Sequence, residues 1–370
     1  MKKVLIIIDN LKGGGAEKVL VTFLKHADLS GINVDLFLIN KEGVYLKDIP
    51  SSIRLFYAFT DSSRFLNRVF RRIFLTFPFL FYVFFIRKSY DLEVAFREDT
   101  STRILLKSPH HRAKRIAWLH TDLERYHYCK LTNREKYLRS LKHLNRLICV
   151  SEGCEAVLLR LAPEMMGKTQ VLYNPVDIEA IRRLATEEID IGFLKEQYNL
   201  LTIGRLDEGK NHIFLIRCIQ RLVQENIKIH LWILGDGVLR QHLETMVVEA
   251  GLHPYIHFLG FRKNPFPYLA ACDLFVFSSL YEGLPTVIIE ALILNKKIIS
   301  SYCGGAEEIL QHGKYGLLSG FSEEEFCKKI KLALAGEGGL PENLHKRTAA
   351  FGVEQQCRCF RHLLNEQLAF

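Results

Sequence analysis

Two carboxylates, Glu282 and Glu290, stand with seven residues between them in the stretch Tyr-Glu-Gly-Leu-Pro-Thr-Val-Ile-Ile-Glu-Ala that runs from Tyr281 to Ala291. The apolar run Leu274 to Phe277 ahead of it reads as a strand. Gly283-Leu284-Pro285-Thr286 stops that strand and opens a helix, with Pro285 near its first turn. Glu282 then sits in the loop before the helix. Glu290 lies one turn inside it, four residues past Thr286 on the same face. The helix N-terminus brings unpaired N–H groups and partial positive charge to the space between the two carboxylates. A ligand with an anionic group flanked by hydroxyl-rich groups suits that space, and a sugar nucleotide is one such molecule.

A basic pair follows another apolar run, in Ile203-Gly204-Arg205-Leu206-Asp207-Glu208-Gly209-Lys210-Asn211. Arg205 offers a planar fork for phosphate oxygens and Lys210 a compact point charge, so together they suit a diphosphate leaving group. Three glycines, Gly13, Gly14 and Gly15, fall between the first apolar run and a helical segment, where they serve a tight turn or let the backbone approach a ligand at the positive end of the helix. A strict GxGxxG is missing there. His120 ends the strand-like Arg115–Leu119 and is a candidate for chemistry at a strand end. Asp236, between Gly235 and Gly237, reads as a cap for the next helix. Gly304 and Gly305 would let backbone approach a ligand.

The elements that must hold these residues alternate. Val4–Ile8, Val34–Ile39, Leu92–Ala95, Arg115–Trp118 and Leu147–Val150 read as strands separated by helical stretches. After the turn-rich Tyr173–Asp177, a second set begins with the strands Leu200–Ile203, Ile229–Leu234, Ile256–Phe258, Leu274–Phe277 and Lys297–Ser300. Between them fall the helices Ile213–Gln224, Gln241–Ala250 and Pro265–Ala271. Two doubly wound α/β units are expected, with ligands outside the carboxyl ends of the strands and in a cleft between the domains.

A chain of 370 residues fits two domains of about 150–200 residues. At 48% hydrophobic and 25% charged it has a globular composition. Residues 1–178 hold 29 Lys and Arg against 18 Asp and Glu, while the remainder holds 21 against 23, so the whole net charge of +9 belongs to the first half. That half is expected to meet an anionic surface. Nine cysteines form no CxxC pair, which reads as reduced thiols in a cytosol. The scattered histidines give no metal-ligand spacing. The apolar run at the N-terminus is too short for a signal h-region. The longest apolar run, Ile73 to Ile86, has 14 residues interrupted by Pro78, short of the roughly 20 that cross a bilayer. Arg64, Arg68, Arg71 and Arg72 precede it, and Arg87 and Lys88 follow. A buried helix and an interfacial one both account for it; the basic flanks and aromatics favour a monotopic contact with anionic lipid.

Taken in order, Gly13–Glu17, His120, Val150-Ser151-Glu152, Tyr173–Asp177, Gly204-Arg205 with Lys210, Gly235–Gly237, the Glu282–Glu290 pair and Gly304-Gly305 with Glu308 resemble the family-four glycosyltransferases of the GT-B fold. The match runs over nearly the whole chain. The resemblance implies two facing Rossmann-like parallel-sheet domains with a cleft between them. Residues 1–173 would form the acceptor-binding domain and 174–350 the nucleotide-sugar domain. Residues 351–370 would return as a helix to the first domain, after a Gly336–Pro341 connection. It implies retaining transfer of a hexose or N-acetylhexosamine from a nucleotide-diphosphate sugar, UDP-linked by family habit, to a lipid-linked saccharide or lipopolysaccharide in surface-polysaccharide assembly. Arg205 and Lys210 would hold the diphosphate and Glu290 the ribose. Glu282, Gly283, Leu284, Pro285 and Thr286 would meet the donor sugar, His120 would lie beside it, and Gly13–Gly15 would approach donor phosphates and acceptor. A metal-binding Asp-x-Asp is absent, so no divalent metal and no other cofactor is expected. The protein is expected in the cytoplasm, peripheral on the inner membrane face, without a nucleic-acid partner. A sugar-nucleotide epimerase and a non-catalytic binder of anionic polymers are the alternatives.

Overall fold

The computed structural model describes residues 1–60, 65–98, 100–124, 134–190, 192–193, 196–336 and 344–369. Arg64, the side chains of Arg68 and Arg71, and residues 337–341 of the expected connection lie outside the described residues. The chain forms two compact units, Met1–Val176 together with Phe351–Phe370, and Asp177–Ala350.

The first unit runs β1 (Lys2–Ile8), α1 (Gly15–His26), β2 (Ile32–Asn40), β3 (Arg54–Phe59), α2 (Phe65–Thr76), α3 (Phe79–Phe84), β4 (Leu92–Ala95), α4 (Thr100–Leu105), β5 (Lys114–Leu119), α5 (Arg134–Leu141), β6 (Arg146–Cys149), α6 (Glu152–Leu161) and β7 (Thr169–Val171). Its seven strands are all parallel, in the order β3-β2-β1-β4-β5-β6-β7. The central strands are near-continuous apolar runs because a parallel sheet is covered on both faces. The sequence does not single out the edge strand β3, whose apolar run Leu55–Phe59 is only partly buried, or the three-residue β7, which carries no such run.

The second unit follows as α7 (Ile178–Leu184), β8 (Tyr198–Ile203), α8 (His212–Gln224), β9 (Ile229–Leu234), α9 (Arg240–Glu249), β10 (Ile256–Gly260), α10 (Phe266–Ala271), β11 (Leu274–Phe277), α11 (Thr286–Ile293), β12 (Ile298–Ser301), α12 (Gly304–Ile309), β13 (Leu317–Ser319), α13 (Glu323–Leu334) and α14 (Leu344–Ala349). Six parallel strands lie in the order β10-β9-β8-β11-β12-β13. Leu215, Ile219 and Leu222 of α8 pack with Phe326 and Ile330 of α13 in a core over one sheet face.

The chain then returns to the first unit as α15 (Val353–Leu368). Its buried residues Gln356, Cys357, Phe360, Leu363, Leu364, Gln367 and Leu368 form one helical stripe. Phe360 stacks on Phe23 of α1 at 4.5 Å between ring centroids and meets Trp118 of β5 edge-on at 5.9 Å. Val176 N–H donates to the Phe351 carbonyl at 2.8 Å and Val353 N–H to the Val176 carbonyl at 2.9 Å, so residues 174–176 stay with the first unit.

The apolar run Ile73–Ile86 breaks where the sequence places Pro78, between α2 and α3. Phe81, Tyr82 and Ile86 enter the core of the first unit beside Phe37 and Phe59. Phe70, Ile73, Phe77, Phe79, Val83 and Phe84 instead stand exposed, beside exposed Arg72, Arg87 and Lys88. The buried reading describes one face of the segment, and the other face is exposed and apolar. Among the described residues no helix is long and apolar enough to cross a membrane.

Candidate functional site

In open parallel sheets the crevice outside the carboxyl ends opens where the strand order reverses. In the second sheet that point lies between β8 and β11. Arg205 and Lys210 follow β8, Glu282 follows β11, and Glu290 sits on the helix after it. The candidates therefore come from the two strand ends flanking the reversal, plus the helix that one of them feeds.

Local hydrogen bonding explains the shape of the Gly204–Asn211 loop. Gly204 N–H donates to the Leu234 carbonyl at 3.0 Å, and Leu206 N–H to the Asp236 carbonyl at 3.0 Å. The Asp207 carboxylate caps the 3₁₀ turn Glu208–Lys210, accepting from the Lys210 amide at 3.3 Å. Asn211 takes a left-handed conformation, φ 53°, and α8 begins. Gly235 is required by contact: at φ 139°, a Cβ there would fall 1.9 Å from the Gly204 carbonyl oxygen. Asp236 does not cap α9, whose N-cap is Leu239; its carboxylate accepts from Gly237 N–H at 2.7 Å and pairs with Arg240 at 3.4 Å.

The 204–211 loop is stitched to the loop after β11. Ser278 Oγ donates to the Lys210 carbonyl at 2.8 Å, and Leu280 N–H to the Gly209 carbonyl at 2.8 Å. The Lys210 ammonium pairs with the Glu282 carboxylate and lies 5.5 Å from the Phe277 ring centroid. Arg205 is different: its side chain is 72% exposed, with Asp207 at 3.8 Å. An exposed pair of that kind contributes under about 1 kcal/mol, so the guanidinium is available to an incoming anion. Lys210 also acts on His212, whose pKa is lowered to about 4 by burial first and by that ammonium second.

Pro285 is the N-cap of α11 and Thr286 its first residue. Ile288, Ile289, Ala291, Leu292 and Ile293 are buried around the helix, and Glu290 is buried among them at 5% exposure. A carboxylate at that depth is held by partners rather than by water. Gly304 and Gly305 open α12, and a Cβ at Gly305 would lie 2.2 Å from the Gly283 carbonyl oxygen. The second glycine thus serves the packing of α12 on Gly283–Leu284, where the sequence suggested approach to a ligand.

In the first sheet the order reverses between β1 and β4. Gly13 and Gly14 follow β1, Arg97 and Glu98 follow β4, and His120 follows the adjacent β5. The Glu17 carboxylate, in the first turn of α1, folds back to accept from Gly13 N–H at 3.1 Å and from Gly14 N–H. Two of the loop amides expected to face a ligand are therefore occupied by Glu17, and Gly15 is the first residue of α1. Both ring nitrogens of His120 are buried and meet no hydrogen-bond partner at normal geometry among the described residues. Burial first, and Arg97 second, lower its pKa to about 3, against a weaker approach to the Phe96 carbonyl. The imidazole is neutral at physiological pH. Sequence reasoning missed Arg97, Glu98 and His212 as site residues. Phe96-Arg97-Glu98 reads as an ordinary polar loop, and only its position beside the sheet reversal could have singled it out.

The sequence matches the family models described as Glycosyltransferase Family 4, over residues 13–180, and Glycosyl transferases group 1, over residues 197–336. Among characterised relatives, the N-acetylgalactosamine-N,N'-diacetylbacillosaminyl-diphospho-undecaprenol 4-alpha-N-acetylgalactosaminyltransferase of Campylobacter jejuni is 32% identical over 336 residues, covering 86% of this chain and 86% of that protein. The lipopolysaccharide core biosynthesis glycosyltransferase LpsE of Rhizobium meliloti is 31% identical over 137 residues, 37% of this chain and 39% of the relative. Among solved structures, sucrose-phosphate synthase from Thermosynechococcus elongatus has the same fold at a TM-score of 0.78 and 17% identity, with 100% of both chains covered. Anabaena HepE in complex with UDP and glucose matches at a TM-score of 0.74 and 20% identity, over 99% of this chain and 100% of that one. With two parallel-sheet units of the GT-B architecture and this extent of similarity, the chain belongs to the family-four glycosyltransferases.

Proposed function

We propose that this glycosyltransferase moves a hexose or N-acetylhexosamine, with retention of configuration, from a UDP-sugar to a lipid-linked saccharide or lipopolysaccharide acceptor. The observation that carries the reading is the Lys210 ammonium, fixed beside Glu282 at the reversal of the second sheet, with an exposed Arg205 on the same loop. A diphosphate arriving there competes with Glu282 for Lys210 and recruits Arg205. As the bond from the sugar to the β-phosphate oxygen breaks, charge builds on the diphosphate, and preorganised cations lower that barrier. The acceptor oxygen bonds to the same face of the sugar, and its proton passes to the departing phosphate oxygen, so no protein nucleophile is needed. Glu290 binds the ribose, Glu282 and Gly283–Thr286 meet the donor sugar, and neutral His120 serves the transfer from the first unit. Gly13–Gly15 line the acceptor side. The relatives named for undecaprenol-linked and lipopolysaccharide substrates support this acceptor class, and the UDP complex of HepE supports the nucleotide. Neither the epimerase nor the polymer-binding alternative gains support from them.

Purified protein offered UDP-sugars with an undecaprenyl-diphosphate-linked saccharide should form an α-linked product from an α-linked donor, read by NMR, equally in EDTA. Donor consumption without an acceptor, or a β-linked product, would contradict the reading.

Such an acceptor places the enzyme at an anionic membrane surface. The exposed Phe77, Phe79, Val83 and Phe84 with Arg72, Arg87 and Lys88 supply an apolar face rimmed by positive charge. Replacing Phe77, Phe79 and Phe84 by Ser should release the protein from vesicles containing anionic lipid; unchanged co-sedimentation would remove this contact.

A further inference from the structure

One side chain connects three neighbouring strand ends of the first sheet. β1, β4 and β5 lie side by side and lead into Gly13–Gly14, Arg97–Glu98 and His120. The Glu17 carboxylate holds the Gly13 and Gly14 amides, and its Oε1 stands 3.5 Å from Arg97 Nη1. Arg97 Nε stands 4.0 Å from Glu98 Oε1, while Glu98 Oε2 accepts from the His120 amide at 3.0 Å. Glycine loop, Glu17, Arg97, Glu98 and His120 backbone thus form one continuous polar chain across the sheet edge. The two carboxylate side chains are only 6% and 5% exposed, so a charge between them acts with little screening by water. Without the cation they would face each other across the reversal point as two buried anions.

We propose that Arg97 is a positioning residue for sugar transfer: its guanidinium locks the Gly13–Gly14 loop, through Glu17, to the His120 strand end, through Glu98. The role rests on the transfer reaction proposed above. Because the loop amides are already taken by Glu17, internal contacts hold the loop in shape before any substrate arrives. The same cation helps keep the imidazole uncharged. Loss of such alignment costs turnover more than donor affinity, since the charged groups assigned to the nucleotide, Arg205, Lys210 and Glu290, belong to the other unit.

The test compares Arg97→Gln, Arg97→Lys and the double variant Arg97→Gln/Glu98→Gln, which restores the balance of buried charge. Melting temperature, kcat, donor KM and amide exchange of residues 9–18 are read for each. In the double variant the melting temperature should return towards wild type while kcat stays about a hundredfold down and donor KM holds within about twofold. Arg97→Lys keeps the charge but loses the fork, and should melt normally with kcat down about tenfold. Amides of the glycine loop should exchange faster in all three. Wild-type kcat in the double variant and in Arg97→Lys, or unchanged exchange of the loop, would overturn the clamp. Absence of transfer by the wild type would overturn the functional reading instead, and the exchange measurement would then decide the clamp alone.

Discussion

His120 and His212 are buried as neutral imidazoles, with pKa values lowered to about 3 and about 4 from 6.5. The unfolded chain therefore binds protons at these positions at a higher pH than the folded one. Their stabilisation is complete above about pH 6.5 and is lost as pH falls towards those lower values. Between pH 7 and 5 each should cost about 1–2 kcal/mol of unfolding free energy. His120→Asn should flatten that decline, measured as urea midpoints across the range; an unchanged slope would show that His120 is not buried neutral. In the second unit, Arg205→Ala, Lys210→Ala and Glu290→Ala should each lower kcat/KM at least about a hundredfold, the effect of removing one donor from a charge-stabilising site. Steady-state kinetics decide this, and near-normal activity in all three would remove the assignment.

Among the elements, α15 has the clearest energetic role in the first unit. Phe360 is 1% exposed between Phe23 and Trp118. Phe360→Ala should cost about 3–5 kcal/mol by loss of apolar burial and the cavity left behind. Chemical denaturation measures it, and a loss under about 1 kcal/mol would mean that α15 is not integral to that core. Much at this scale was legible in the sequence. Leu92–Ala95, Ile229–Leu234 and Leu274–Phe277 are strands with those bounds, because strands buried on both faces are near-continuous apolar runs, broken here only by the buried Glu93 and His230. Three of the four edge strands were hidden: β7 and β13 have three residues each, and β3 is partly exposed. At the candidate site, Arg205, Lys210 and Glu282 stand out in the sequence because charged types follow apolar strands beside glycines. Glu17 could be read as part of a motif, but its reach back to the Gly13 and Gly14 amides, and the 3.5 Å approach of Arg97 from 80 residues away in sequence, arise only when β1 and β4 become neighbours. The packing of Gly305 was hidden for a related reason, since its close partner is the Gly283 backbone on another loop.

Across the whole molecule, charge is divided unevenly between the two units. The basic surplus lies in residues 1–178, where the exposed aromatic face of α2 and α3 also lies. The second unit is nearly balanced, and two of its cations, Arg205 and Lys210, stand at the sheet reversal. A diffuse positive field suits a membrane-borne acceptor, whereas a fixed pair suits a single diphosphate. The proposed donor site depends most on that pair. Calorimetric titration of UDP and of uridine into the wild type and Arg205→Ala/Lys210→Ala tests it most directly. UDP affinity should fall at least about a hundredfold, roughly 2.7 kcal/mol, with uridine affinity unchanged. Equal loss for both ligands, or retention of UDP binding, would contradict the placement of the diphosphate on Arg205 and Lys210.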